Sequence, residues 1–174
     1  GGRYVTTEDV GMTPADLEHI AQETDHVVGL PLSMGGSGDT SAMTGLGVYL
    51  GMKACARAVW GSDSLDGRAV AIQGFGNVGS HLARHLLEGG ARLIVADVYQ
   101  GALDKARDMG ATVVEPDEIY GVACDILAPC ALGGVLNSAT TPRLQCSIVA
   151  GGANNQLQDP ADGDELHRRG ILFA

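Results

Sequence analysis

Apolar positions in this chain follow two periods, and the change from one to the other falls after about residue 67. Beyond the Asp63–Gly67 turn, short apolar runs recur: Ala69-Val70-Ala71-Ile72, Leu93-Ile94-Val95-Ala96, Ala111-Thr112-Val113-Val114, Asp125-Ile126-Leu127-Ala128, Ser147-Ile148-Val149-Ala150 and Ile171-Leu172-Phe173. Short runs without polar alternation predict strands buried on both faces. Between the first two runs, Val78, Leu82 and Leu86 stand in line and predict a helix over 78–87. A second helix is predicted over 102–109. Buried strands alternating with helices imply a parallel sheet covered on both sides, an α/β doubly wound domain of the Rossmann type.

Upstream, Val48, Met52, Cys55 and Val59 recur at helical spacing between Thr44 and about Trp60, with Lys53 and Arg57 on another face. Thr13-Pro14-Ala15-Asp16 reads as a helix start, with Thr13 as N-cap, proline in the first turn and an acid behind it. That helix is expected to reach about Thr24. Arg3-Tyr4-Val5-Thr6 is β-prone, and Ser33 to Asp39 carries too much glycine for a regular element. The expected division is therefore a lead-in over 1–43 and a Rossmann domain over 44–174. The first residue is not Met and the last apolar run looks cut short, so an internal piece of a longer chain is expected, its Rossmann domain truncated at the C-terminus.

Composition adds two constraints. With a net charge of −10 and only 11 Lys and Arg, the chain is a poor partner for nucleic acid. An anion must be held here by backbone N–H groups and a helix dipole. Cys55, Cys124, Cys130 and Cys146 show no C-x₂-C spacing, which argues against a metal centre or disulfide framework and for reduced thiols in a cytoplasmic protein. His81 and His85 lie four apart on the 78–87 helix, but without a further ligand they read as surface residues rather than a metal pair. No membrane-length apolar run is present.

The chemistry sits between the first two strands. Gly74-Phe75-Gly76-Asn77-Val78-Gly79 follows a buried strand directly and opens a helix, the context that makes a G-x-G-x-x-G loop specific for a dinucleotide. Gly74 suits a tight turn, Gly76 lets backbone approach a pyrophosphate, and Gly79 allows close helix–strand packing. The phosphates would rest on the N–H groups at the helix start, with Ser80 in the same turn. Asp97 ends the second strand, 23 residues after Gly74. A carboxylate there accepts ribose hydroxyls, with Val98 beside it, and no Arg follows to take a 2′-phosphate. NAD is thus expected over NADP.

Further motifs carry a family likeness: Thr7-Glu8-Asp9-Val10-Gly11-Met12, Gly36-Ser37-Gly38-Asp39, Gly47 to Lys53, Gln73 to Gly79, Ala128-Pro129-Cys130-Ala131-Leu132-Gly133 and Ala153-Asn154-Asn155-Gln156-Leu157. In this order they resemble the Glu/Leu/Phe/Val amino-acid dehydrogenases over the whole chain, phenylalanine dehydrogenases above all. The resemblance implies NAD-dependent oxidative deamination of an L-amino acid, phenylalanine or a branched-chain one, to the 2-oxo acid and ammonia, by an oligomeric two-domain enzyme. Residues 1–43 would then end the substrate domain. Asp9 matches the catalytic aspartate, although its position alone would suit a solvated turn acid. Asn154 matches a cofactor contact and Asn155 a substrate contact. Ala128, Pro129 and Cys130 match backbone near the nicotinamide, with Cys130 not needed as a nucleophile, and Ser41 and Thr44 match positions near the cofactor or simply cap the Thr44 helix.

Two departures stand out. Asp39-Thr40-Ser41-Ala42-Met43-Thr44 lacks two prolines and an aromatic usual in phenylalanine dehydrogenases, a change that should loosen a loop there. The family's two catalytic lysines and their glycine-rich segment have no match and are expected upstream, so this piece should bind NAD without turning over. The alternatives are a glutamate dehydrogenase and a non-catalytic NAD-sensing module.

Overall fold

The computed structural model describes residues 2–9 and 11–174; Val10 of the Thr7–Met12 motif lies outside them. The chain packs as two compact units, Gly1–Met43 and Thr44–Ala174.

In the first unit, helix α1 spans Pro14–Ala21. Thr13 caps it reciprocally with Asp16: the Asp16 N–H donates to the Thr13 hydroxyl, and the Asp16 carboxylate accepts from the Thr13 N–H at 2.8 Å. α1 buries Leu17 and stops short of Thr24. A last turn closes there, the Thr24 N–H donating to Ile20, and the chain swings back so that Val27 pairs with Thr6. Among the described residues, the β-prone start makes only this isolated parallel bridge. A single 3₁₀ turn over Leu32–Met34 intrudes on the expected glycine-rich loop.

Helix α2 spans Ser41–Trp60, opening three residues before the expected Thr44. The Asp39 carboxylate accepts from the Ser41 N–H at 2.8 Å, so Asp39 caps the turn and Ser41 and Thr44 lie inside the helix. The segment lacking prolines is thus the first turn of α2 rather than a loosened loop.

The second unit is a six-stranded, all-parallel sheet. Its elements are β1 (Ala69–Gln73), α3 (Asn77–Glu88), β2 (Arg92–Ala96), α4 (Gln100–Asp108), β3 (Thr112–Val113), β4 (Ile126–Pro129), β5 (Ile148–Val149), α5 (Pro160–Arg168) and β6 (Leu172–Phe173). The spatial order is β3-β2-β1-β4-β5-β6, so the winding reverses between β1 and β4. All six expected strands are present, and every ladder is parallel.

Side chains of the central strands alternate between two cores. Val70 and Ile72 of β1 join Met52, Cys55 and Ala56 of α2 and Leu82, Ala83 and Leu86 of α3. Ala71 points the other way, into a core with Leu127, Val149, Leu144 and Leu166 of α5. Both faces are therefore dry, which is why the strands read as apolar throughout. His85 is not simply a surface residue: its half-buried ring stacks on Tyr49 of α2, centroids 5.7 Å apart. Helix α5 was not signalled by apolar spacing. Its start repeats the α1 device, with Asp159 capping Ala161 at 2.9 Å and Asp162 accepting from the Asp159 N–H at 3.0 Å.

The N-terminal edge of the sheet is tied by one ion pair. Arg68 donates to Asp125 Oδ1 at 2.8 Å, and Asp125 Oδ2 accepts from the Ala69 N–H at 2.8 Å. The same guanidinium lies 3.8 Å from the Trp60 ring centre at the end of α2. The pair is about one-third exposed, so solvent screening reduces its worth. Asp125→Ala removes a charge-assisted contact to backbone as well as the ion pair. It should lower unfolding free energy by about 1–3 kcal/mol, read by urea denaturation; an unchanged midpoint would show that the clasp contributes nothing.

Candidate functional site

Parallel strands send all their C-terminal ends to one edge, and a crevice forms where the winding reverses. Three loops meet there in the second unit: Gly74–Gly76 after β1, Cys130–Gly134 after β4 and Ala150–Gln156 after β5.

The first loop is shaped by its glycines. Gly74 has φ +93°, and a Cβ on it would lie 2.5 Å from the Ala131 Cβ. A methyl at Gly79 would overlap the Gly74 carbonyl oxygen, so α3 starts with its backbone against the end of β1. Gly76 is the N-cap of α3 and behaves differently: no side chain caps the helix there, no acid lies in its first turn, and the Cβ direction opens onto free space. The first-turn N–H groups, which have no intrahelical partner, thus face an open approach with the positive end of the helix dipole behind them.

Asp97 lies beside this loop. Its Oδ2 accepts from the Phe75 N–H at 2.6 Å and its Oδ1 from the Tyr99 N–H at 2.8 Å. It is therefore more than a strand-end acid: it anchors the glycine loop, and each oxygen keeps a lone pair for a hydroxyl. Val98 next to it is 91% exposed.

Backbone hydrogen bonds knit the other loops together. The Cys130 N–H donates to Gln73 O at 2.7 Å, Ala153 N–H to Pro129 O at 3.0 Å and Gly134 N–H to Asn155 O at 2.8 Å. A Cβ on Gly152 would touch Val78 at 2.8 Å and Thr44 at 3.8 Å, which places the β5 loop against the starts of α3 and α2. The side chains of Asn154 and Asn155 are exposed, and Asn155 holds a left-handed φ of +49° that asparagine tolerates better than most residues.

Gly74, Gly76, Asn77, Val78, Gly79, Asp97, Val98, Thr44, Asn154 and Asn155 are thus brought to one edge. Five other expected contacts are restricted. Phe75 is buried in the core and offers only backbone. Ser80 is buried, and its hydroxyl donates to Asn77 O at 3.1 Å, which turns it inward. Ala128 is fully buried within β4. The Cys130 N–H and the Pro129 carbonyl already serve the loops. Burial pushes the Cys130 thiol up to about 11.

Two glutamines escaped sequence reading. Gln156, 8% exposed, donates its amide to Gly151 O at 3.0 Å and ties the β5 loop across five residues. Gln73 ends β1 with a buried Oε1 that has no partner. A polar residue closing an apolar run was the available signal for Gln73.

Asp9 and Ser41 belong to the first unit. Asp9 is exposed, and its carbonyl accepts from the Met12 N–H at 3.0 Å. Beside it, Glu8 has a carboxyl raised above the ordinary range by burial and then by the Asp39 charge, and its Oε2 is buried without a partner. Among the described residues no cluster of three His, Cys, Asp or Glu could hold a metal, and no helix is long and apolar enough to cross a membrane.

Known proteins are similar to this chain in sequence and fold. The family described as Glutamate/Leucine/Phenylalanine/Valine dehydrogenase matches residues 35–107 and 93–174. Leucine dehydrogenase of Geobacillus stearothermophilus is 53% identical over 174 residues, 99% of this chain and 47% of that protein. The crystal structure of L-tryptophan dehydrogenase from Nostoc punctiforme superposes with a TM-score of 0.81 at 48% identity, over 99% of this chain and 49% of the other. A hetero-hexameric glutamate dehydrogenase from Thermus thermophilus, in its Leu-bound form, gives a TM-score of 0.79 at 25% identity, over 98% of this chain and 46% of the other. The chain spans about half the length of these relatives.

The raised Cys130 thiol predicts chemical silence. At pH 7.5, iodoacetamide should leave Cys130 unmodified in the folded protein and label it after denaturation, as read by peptide mass mapping. Labelling as fast as that of free cysteine would refute the burial argument.

Proposed function

Because this chain belongs to the Glutamate/Leucine/Phenylalanine/Valine dehydrogenase family, we propose that it is the NAD-binding part of an enzyme that oxidatively deaminates an L-amino acid with an apolar side chain. Family membership implies a nicotinamide cofactor; NAD in particular is our reading. One observation carries it: the uncapped start of α3, open at Gly76, beside the Asp97 carboxylate.

In this reading the first-turn N–H groups of α3 hold the pyrophosphate, which needs no cationic side chain and so suits an acidic protein. Asp97 receives the adenine ribose hydroxyls on its remaining lone pairs. Its orientation is fixed beforehand by Phe75 and Tyr99, so little ordering is left for binding. A 2′-phosphate would meet the same negative charge, which favours NAD. Val98, exposed beside Asp97, would add apolar contact to the nucleotide held there. The bound nicotinamide supplies the hydride acceptor. Asn154 and Asn155, exposed at the mouth of the crevice, orient the nicotinamide ribose and the substrate, and Gln156 keeps their loop closed. Asp9 exchanges protons with the substrate amino group. Ser80 and the Cys130 sulfur are left out of the binding set because both are buried.

The substrate is phenylalanine or a branched-chain amino acid. Identity of 53% to a leucine dehydrogenase against 25% to a glutamate dehydrogenase supports an apolar side chain over the glutamate alternative. The hexameric relative supports an oligomeric parent. A non-catalytic sensing module has no use for Asp9 or the paired asparagines.

Four outcomes test this reading in the full-length protein. Leu, Val or Phe should be oxidised at least about tenfold more efficiently than Glu, followed by NADH absorbance, because an apolar pocket rejects a carboxylate. Equal turnover of Glu would reverse the substrate assignment. Gly76→Ala strikes nothing in the protein and, as a poorer N-cap, should lower the unfolding free energy by no more than about 1 kcal/mol. Its methyl fills the open approach, so NAD should bind about tenfold or more weakly in calorimetric titration. Undiminished affinity would move the phosphates elsewhere. Asp97→Asn, which keeps one acceptor for the loop, should lower the preference for NAD over NADP by about tenfold, with an unaltered ratio counting against the ribose contact. Asp9→Asn should remove most turnover while NAD still binds.

A further inference from the structure

Two half-buried cysteines lie far from the crevice, at the N-terminal edge of the sheet. Ala123 pairs with Gln145 in an isolated parallel bridge, and Ile126 pairs with Ile148 in the β4–β5 ladder. Both pairs share an offset of 22, so the same register sets Cys124 directly opposite Cys146. Opposed residues on neighbouring parallel strands have Cα atoms about 4.8 Å apart and side chains on one face. That separation falls inside the range a disulfide spans. The two thiols interact directly, and neither is bonded to another cysteine.

Their surroundings differ. The Arg169 guanidinium donates to Leu144 O at 2.7 Å and to Thr141 O, which holds a cation close to Cys146. The Cys146 thiol is lowered chiefly by the hydrogen bond from Cys124, with Arg169 adding to it. The Cys124 thiol is pushed up by the same contact, by burial and by the Asp125 charge. Cys55, by contrast, is raised by burial, with no other thiol contributing to the shift. A partly exposed thiol beside Arg, with a second thiol in reach, is the environment of a redox-reactive cysteine.

We propose that Cys124 and Cys146 form a reversible thiol–disulfide site, with Cys146 as the attacking sulfur and Cys124 as the resolving one, and with a small-molecule disulfide as oxidant. The Cys146 thiolate attacks one sulfur of the oxidant, forming a mixed disulfide and releasing one thiolate. Cys124 then gives its proton to solvent and attacks the Cys146 sulfur, expelling the second thiolate. Two protein thiols become one disulfide, and the oxidant is reduced to two thiols. The bond would join the segments leading into β4 and β5, whose far ends carry the Cys130–Gly134 and Ala150–Gln156 loops.

The test uses oxidised glutathione on the folded full-length protein, with peptide mass mapping under non-reducing conditions. The readout is independent of the dehydrogenase assignment, so the two can fail separately. The expected product is a Cys124–Cys146 linked peptide lighter by two hydrogen atoms, lost on adding dithiothreitol, with Cys55 and Cys130 still unlinked. Cys124→Ser should trap glutathione on Cys146, whereas Cys146→Ser should leave Cys124 largely free of adduct. Absence of the linked peptide in the unsubstituted protein, while a denatured control is oxidised, would overturn the site. Equal glutathione capture by both variants would overturn the assignment of Cys146 as attacker.

Discussion

The start of α3 lies so close to the end of β1 that a single methyl at Gly79 would strike the Gly74 carbonyl oxygen. This contact sets the direction in which the helix leaves the sheet. It presses Leu82 and Leu86 onto the core shared with Val70 and Ile72, and it leaves the first-turn N–H groups directed away from protein. Gly74 supports it with a left-handed φ that few side chains tolerate. Were α3 to stand further off, its apolar face would lose its packing and its dipole would no longer be aimed at the crevice.

The crevice is rigid because its walls are bonded to one another rather than hung separately from the strands. Pro129, Gln73 and Asn155 each give a carbonyl to a neighbouring loop, and Gln156 closes the last of them. Asp97 belongs to the same scheme, since its carboxylate is held by backbone on both oxygens. The groups assigned to recognition are thus also fixed groups. Preorganisation of this kind lets a small number of polar contacts discriminate between similar ligands.

The layered architecture was legible in the chain because parallel strands with two dry faces leave continuous apolar runs. The glycine loop was legible for a related reason: strand, turn and helix follow without an intervening residue. Ends were less so. Expected strands of three or four residues shrink to two at β3, β5 and β6, since pairing depends on where the neighbouring strand begins rather than on apolarity. Helix α2 starts at Ser41 because Asp39 caps it, a contact that glycine richness nearby concealed. Asp97 was visible as an acid at the right distance, but its loop-anchoring role depends on N–H groups whose direction only the fold decides. Ser80 looked available in the motif, yet its place on the helix puts it inward. The opposition of Cys124 and Cys146 is a property of strand register, which no local spacing rule contains.

The clasp of Trp60, Arg68 and Asp125 has an optical consequence. Trp60 is the chain's single tryptophan, and its ring lies under a guanidinium at the junction of α2, β1 and β4. Indole emission from this chain therefore has one origin and samples one spot, the edge of the sheet opposite the crevice. Its wavelength will follow separation of the helix from the first strand, whereas events among the Gly74, Pro129 and Asn155 loops occur at the other end of the same strands.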